Sequence, residues 1–132
     1  MKTLLVLVSV VMINILFPVM VIAASSMSLP DDVKMVQPDP SLPKELADFW
    51  GKWRGQSDGF LIVESIDEQK ASLYTYRNAL GWKRHDATVS KERGKYKLWF
   101  KGRMGTNEFE LKGEYLDMYV PPSVQIRMTR VP

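Results

Sequence analysis

The stretch Trp50-Gly51-Lys52-Trp53-Arg54-Gly55 separates two parts of the chain that differ in character. Upstream of it, the sequence is first apolar and then rich in proline, and neither part alternates as a strand does. Downstream of it, apolar and polar residues alternate with a period of two, and turn residues recur roughly every ten positions. The stretch therefore predicts the start of the first in a series of β-strands.

Eight segments with this alternation follow one another. The predicted strands cover residues 50–56, 60–66, 71–77, 82–90, 95–101, 106–112, 114–120 and 123–131. The short segments between them carry Gly, Asn, Asp or Pro, which supply the backbone angles of tight turns. Short connections join antiparallel neighbours, and closing such a meander removes its two exposed edges and covers its apolar face. We therefore predict an all-β fold, a small eight-stranded antiparallel up-and-down barrel.

The chain upstream of the barrel divides into two segments. Residues 1–24 combine Lys2, a long apolar run and the small pair Ala23-Ala24, which is typical of a secretory signal peptide. The apolar run also approaches the ~20 residues that span a bilayer, so an uncleaved anchor is the alternative. Residues 25–43 contain four prolines and predict an extended leader before a barrel domain at 44–132. We expect an exported protein, periplasmic or secreted, that contacts membrane only through an uncleaved signal segment.

A short helix is predicted between the leader and the first strand. Proline suits the first helical turn, as at Pro43, and Leu46, Phe49 and Trp50 follow at a spacing that shares one helix face. This face would cover one open end of the barrel.

Composition excludes several classes of function. All 15 acidic residues and all but one of the 18 Lys and Arg residues lie after residue 24, leaving a net charge near +2, too mild for a general nucleic-acid binder. The absence of cysteine excludes disulfides, thiolate catalysis and cysteine metal sites. His85 is the only histidine, and its neighbour Asp86 points to the opposite face of a strand, so they form no dyad. We predict no enzyme activity, no metal and no cofactor.

The motif Gly51-Lys52-Trp53 near the start of the first strand, with Arg130 near the end of the last, resembles the lipocalin/calycin barrels. In that superfamily a Gly-x-Trp tryptophan packs across the barrel floor and a basic side chain from the last strand covers it. The resemblance implies that Trp53 is the floor and Arg130 its cover. The segments 60–64 and 71–76 are also similar to a group of small exported bacterial proteins of unassigned function.

Aromatic side chains in the strand region give the leading functional hypothesis. Small barrels commonly bind ligands at their mouths, so Tyr74, Tyr76 and Trp82 could line a mouth or outer groove for an apolar or sugar-like ligand. Inward-facing aromatics could equally be filling the barrel. The leading prediction is an exported, non-enzymatic barrel that binds a small apolar or amphipathic ligand.

Charge gives the alternative hypothesis. Residues 83–103 contain eight Lys and Arg residues but only two acidic ones. Two adjacent strands could therefore present a basic face that includes Lys95, Lys97 and Lys101, although such a face is often simply solvated. In this alternative the barrel is filled by side chains and docks an anionic envelope component, a lipid or a cell-wall polymer.

Overall fold

A computed structural model describes residues 29–56 and 59–132 of the chain. The predicted signal peptide, the first residues of the leader and the pair Ser57-Asp58 lie outside the described residues. The elements are helix α1 (Lys44–Ala47) and strands β1 (Gly51–Gly55), β2 (Phe60–Ile66), β3 (Lys70–Arg77), β4 (Gly81–Glu92), β5 (Lys95–Gly102), β6 (Gly105–Lys112), β7 (Tyr115–Val120) and β8 (Val124–Val131). In the described part of the chain, no helix is both long and apolar enough to cross a bilayer.

The eight strands form one closed barrel in which each strand pairs antiparallel with the next. The ring closes through β1 and β8, where Trp53 lies opposite Arg130 and Lys52 opposite Val131. The prediction of an eight-stranded up-and-down barrel with a short N-terminal helix is confirmed. The predicted strand boundaries differ from the observed ones by two residues at most.

The barrel has two distinct ends. Strands β1, β3, β5 and β7 finish at the end where β2, β4, β6 and β8 begin, and we call this the distal end. The turn after α1 lies at the other, proximal end, where the indole N–H of Trp53 donates a hydrogen bond to the carbonyl of Phe49 (2.9 Å). As predicted, the helical segment covers one end of the barrel, but Phe49 and Trp50 both lie outside α1.

Inward-facing side chains from the strands form a single core with two from the helical segment. Leu46 and Phe49 enter it from the proximal end and are fully buried. The other fully buried apolar members are Trp53, Leu61, Val63, Leu73, Leu98, Phe109 and Leu116. Since each such side chain contributes about 1.5–3 kcal/mol on burial, this core accounts for a fold that has no disulfide.

The described part of the leader lies against the outer wall of β2 and β3, with turns at residues 31–32 and 40–41. The backbone N–H of Val36 donates to the carbonyl of Glu64 at 2.8 Å, beside a β-bulge between Val63 and Ser65. The outward side chains Ile62 and Tyr74 are only 2% and 3% exposed. The leader therefore covers the outer side of β2 and β3 at these two residues.

Candidate functional site

The proximal end is sealed by Trp53, Arg130 and the turn after α1. The Arg130 guanidinium lies 4.3 Å from the centroid of the Trp53 ring system. The same guanidinium donates hydrogen bonds to the carbonyls of Asp48 (2.7 Å) and Trp50 (2.9 Å). Arg130 therefore satisfies carbonyls at the end of the helical segment while it covers the floor tryptophan.

Glycine at position 51 is favoured by its backbone conformation and by the nearby Arg130 side chain. Its φ of +127° is a conformation that side chains rarely adopt. A Cβ at this position would also lie 3.0 Å from a terminal nitrogen of Arg130. The Gly-x-Trp spacing thus has a physical reason: the glycine leaves room for the cation that covers the tryptophan two residues later.

Three aromatic rings meet on the outer wall near the distal end. The ring centroids of Tyr76 and Trp82 are 5.2 Å apart, and those of Phe60 and Tyr76 are 6.3 Å apart in an edge-to-face arrangement. Strand pairing explains the cluster, because Tyr76 lies opposite Phe60 on one side and Trp82 on the other. All three are partly exposed. We call Phe60, Tyr76 and Trp82 the outer aromatic patch.

The structure separates Tyr74 from the two other predicted ligand contacts. Its hydroxyl hydrogen-bonds to a carboxylate oxygen of Asp32 in the leader at 3.1 Å. Burial, followed by this hydrogen bond, raises the pKa of Tyr74. Tyr74 thus lies against the leader, whereas Tyr76 and Trp82 lie together in the outer aromatic patch. Phe60 was not among the predicted contacts, although pairing the two strands of the β2–β3 hairpin would have pointed to it.

Glu64 joins the leader to the barrel wall. One carboxylate oxygen accepts a hydrogen bond from the Ser72 hydroxyl (2.6 Å) and the other from the backbone N–H of Lys34 (3.1 Å). Arg84 forms an ion pair with the same carboxylate at 3.5 Å. The Glu64 carbonyl also accepts the indole N–H of Trp50 at 3.1 Å. One buried residue therefore holds the leader through both its side chain and its backbone.

Replacing Glu64 with alanine is expected to loosen the leader while the barrel stays folded. The lost hydrogen bonds to a charged group are each worth ~1.5–3 kcal/mol, so local opening should become at least tenfold more frequent. Trypsin cleavage after Lys34 should accelerate accordingly, as followed by mass spectrometry. Glu108→Ala, at a carboxylate that contacts Lys97, is the matched control. An unchanged cleavage rate in Glu64→Ala would show that the Glu64 carboxylate does not hold the leader on the barrel.

The three lysines of the predicted basic face do not share one environment. Lys97 lies 3.3–3.5 Å from the carboxylates of Glu92, Glu108 and Glu110. Burial works against its charge, but hydrogen bonds and attraction to these acids outweigh burial and raise the pKa of Lys97. Lys95 and Lys101 are exposed near opposite ends of β5. The charge of Lys97 is therefore largely neutralised within the protein.

His85 faces the barrel interior, whereas Asp86 faces outward, as the alternation predicted. The imidazole stacks on Phe100 with centroids 3.9 Å apart and hydrogen-bonds the Thr75 hydroxyl at 3.1 Å. Burial, aided by Lys83, lowers the pKa of His85. The histidine is therefore held neutral as part of the inner wall near the distal end.

Two open clefts lie on the barrel surface, one of them lined by Glu108 and the other by Arg130 and Asp48. One, of about 280 Å³, follows the β7–β8 connection around Pro121 and Pro122. The other, of about 610 Å³, lies at the proximal end between Lys44 and Tyr115. Neither cleft is lined by Tyr74, Tyr76 or Trp82. Within residues 29–56 and 59–132, no three His, Asp or Glu side chains are grouped to hold a metal ion.

Comparisons with known proteins leave the family of this chain open. No family model, no curated protein and no solved structure matches it. The closed eight-stranded barrel is consistent with a lipocalin-like architecture, and the similarity to small exported bacterial proteins stays a prediction.

Proposed function

We propose that this chain is a non-enzymatic exported barrel that binds a small apolar or amphipathic ligand on its outer aromatic patch. The observation that carries this proposal is the contact among Phe60, Tyr76 and Trp82 outside a core that is already complete. Aromatic rings that stay partly exposed retain apolar area that a ligand can bury.

The position of the patch favours an amphipathic ligand. The Arg54 guanidinium lies 5.7 Å from the centroid of the Phe60 ring, so a cation borders the apolar surface. Tyrosine and tryptophan each offer a polar atom beside an apolar ring. A ligand with an apolar body and a polar or anionic head would match both features.

The outer wall is a better binding place than the barrel centre. At the level of Trp53, Leu61 and Leu73, the inward side chains are at most 1% exposed and pack against one another. A ligand at that level would have to displace them, and creating such space costs several kcal/mol. The patch needs no such rearrangement.

Tryptophan fluorescence titrated with a fluorescent fatty-acid analogue tests the proposal. We expect saturable quenching, and Trp82→Ala or Tyr76→Ala should weaken binding about tenfold, the equivalent of one lost ring contact. Trp99→Ala is the matched control, because Trp99 is a partly exposed outward tryptophan on β5. Equal affinities for Trp82→Ala and the unmodified protein would overturn the proposal.

The second candidate function is docking to an anionic envelope component. The contacts of Lys97 with three carboxylates leave the β5 lysines a weak basis for it. A different group of cations, at the distal end, supports docking more directly.

A further inference from the structure

Four strand connections lie at the distal end, and three of them are described in full and are similar in character. These three join β3 to β4, β5 to β6 and β7 to β8, while the fourth, between β1 and β2, includes Ser57 and Asp58, which lie outside the described residues. Each has one large apolar side chain in solvent, either within it or directly after it: Leu80 is 77% exposed, Met104 76% and Val124, the first residue of β8, 52%. Leu80 and Met104 are the two most exposed of the large apolar side chains in the described chain.

The fold does not require large apolar side chains at Leu80, Met104 and Val124, which we call the apolar tips. The turns obtain their backbone geometry from other residues, such as Gly81 with φ +69° and Gly105 with φ +128°. Turn positions normally take small or polar residues, and single exposed apolar residues are otherwise scattered over a surface. Here, Leu80 and Met104 lie in two of the connections, and Val124 is the first residue of β8, directly after the third.

Cations without neighbouring acids accompany the apolar tips. The stretches 77–83, 100–106 and 119–125 contain Arg77, Lys83, Lys101 and Arg103 and no Asp or Glu. All four cations are exposed, and none forms an ion pair with a described residue. The connections at the proximal end differ, since residues 66–70, 91–95 and 112–115 together hold five basic and four acidic residues.

We propose that the distal end docks onto the surface of an anionic phospholipid bilayer. The three tips, Leu80, Met104 and Val124, insert at the headgroup boundary, while Arg77, Lys83, Lys101 and Arg103 contact anionic headgroups. We call these seven residues the distal rim. Membrane docking by the distal rim does not depend on the small-ligand site. It would be a membrane contact separate from any made by the predicted signal segment.

A bilayer fits the distal rim better than a soluble polyanion does. A polymer could neutralise the four cations, but it would leave the apolar tips in water. The tips stand on different hairpins around a ring, so a broad, deformable apolar surface is needed to contact all three at once. Each cation near an anionic membrane strengthens binding about fivefold, and this attraction falls off within a Debye length.

Single-cysteine reporters test the orientation directly, because the chain contains no cysteine. Leu80→Cys, Met104→Cys and Val124→Cys would each carry an environment-sensitive fluorophore, with Glu114→Cys at the proximal end as the control. The full chain would be mixed with vesicles of equal parts phosphatidylcholine and phosphatidylglycerol, or of phosphatidylcholine alone. We expect a blue shift at the three distal positions with anionic vesicles only, diminishing as salt is raised.

Charge reversal provides the second measurement. Lys101→Glu with Arg103→Glu should weaken sedimentation with anionic vesicles by about 25-fold or more, at fivefold for each cation. Arg93→Glu with Lys95→Glu, at the proximal end, is the matched control and should leave binding nearly unchanged. All these variants keep the same apolar N-terminal segment, so any vesicle binding by that segment is equal in each of them.

Several results would overturn the proposal. An equal blue shift at Glu114→Cys, or an equal response to neutral vesicles, would show that the distal rim does not orient the protein. Binding to a soluble polyanion with no shift on vesicles would identify a polymer partner instead. A shift that follows protein concentration without vesicles would identify a second copy of the chain.

Loss of fatty-acid binding in Trp82→Ala with vesicle docking intact would support both proposals separately.

Discussion

Trp53→Ala is expected to lower the free energy of unfolding by ~3–5 kcal/mol, as truncation of a buried aromatic side chain does. The ring is 1% exposed and packs in the core beneath the Arg130 guanidinium. The substitution also removes the indole N–H that bonds the Phe49 carbonyl and so anchors the helical segment. For a domain of this size, the loss corresponds to a fall in melting temperature on the order of 20 °C.

Thermal unfolding followed by circular dichroism would measure the effect. Trp99→Ala removes the same side chain from a partly exposed outer position and should cost far less. Equal melting temperatures for the two variants would show that Trp53 is not part of the core. Arg130→Met should cost less than Trp53→Ala, because the methionine still covers the ring but no longer satisfies the carbonyls of Asp48 and Trp50.

Acidification below about pH 4 is expected to destabilise the barrel through Asp117, whose side chain is 1% exposed. Arg127 donates two hydrogen bonds to this carboxylate, at 2.9 and 3.1 Å, and Gln125 donates a third at 3.2 Å. The bonds from Arg127 outweigh the effect of burial and lower the pKa of Asp117. A lowered folded-state pKa contributes stability that is fully present above the ordinary carboxyl pKa. That stability is lost as the pH falls through the folded-state value.

Arg127→Met isolates this contribution. The guanidinium is half exposed, so solvent screening should keep the expected loss at pH 7 well below that of a fully buried ion pair. In the variant, the buried Asp117 has lost its cation, and burial should then raise its pKa. Protonation at low pH relieves that buried charge, so the stability gap between the two proteins should narrow as the pH falls.

Urea unfolding at pH 7, 5 and 3 would measure whether the difference in unfolding free energy between the two proteins narrows as the pH falls. Arg77→Met is the control, because Arg77 forms no ion pair with a described residue, and its effect should stay small at each pH. A gap between Arg127→Met and the unmodified protein that stays constant across this range would contradict the role assigned to Asp117.

Local patterns in the sequence were sufficient to predict the strands and the ring that they form. Alternation and turn residues depend only on residues a few positions apart, and these local signals located all eight strands. Alternation also predicted that His85 and Asp86 face opposite sides. Alternation cannot assign faces to residues 60–63, because all four are apolar and Ile62, on the outer face, is buried, as are Leu61 and Val63 on the inner one.

The predictions about the site were limited by contacts between residues that are distant in the sequence. Tyr74 lies against the leader through Asp32, which is 42 residues away. Lys97 is neutralised partly by Glu108 and Glu110 on the next strand, and a charge count over residues 83–103 does not include them. The distal rim was missed for the same reason, since its members are neighbours only once the ring has closed.

Pairing of β8 with β1 also sets the order in which the protein can mature. Residues 124–131 form β8, which closes the ring on β1, and they also supply Arg130, which covers Trp53. The barrel therefore cannot close until these residues have left the ribosome or a translocation pore. Contacts spanning some eighty residues must then form together, which makes barrel formation slow compared with that of a helical protein. Under the export proposed for this chain, the delay would keep the polypeptide unfolded until it has crossed the membrane.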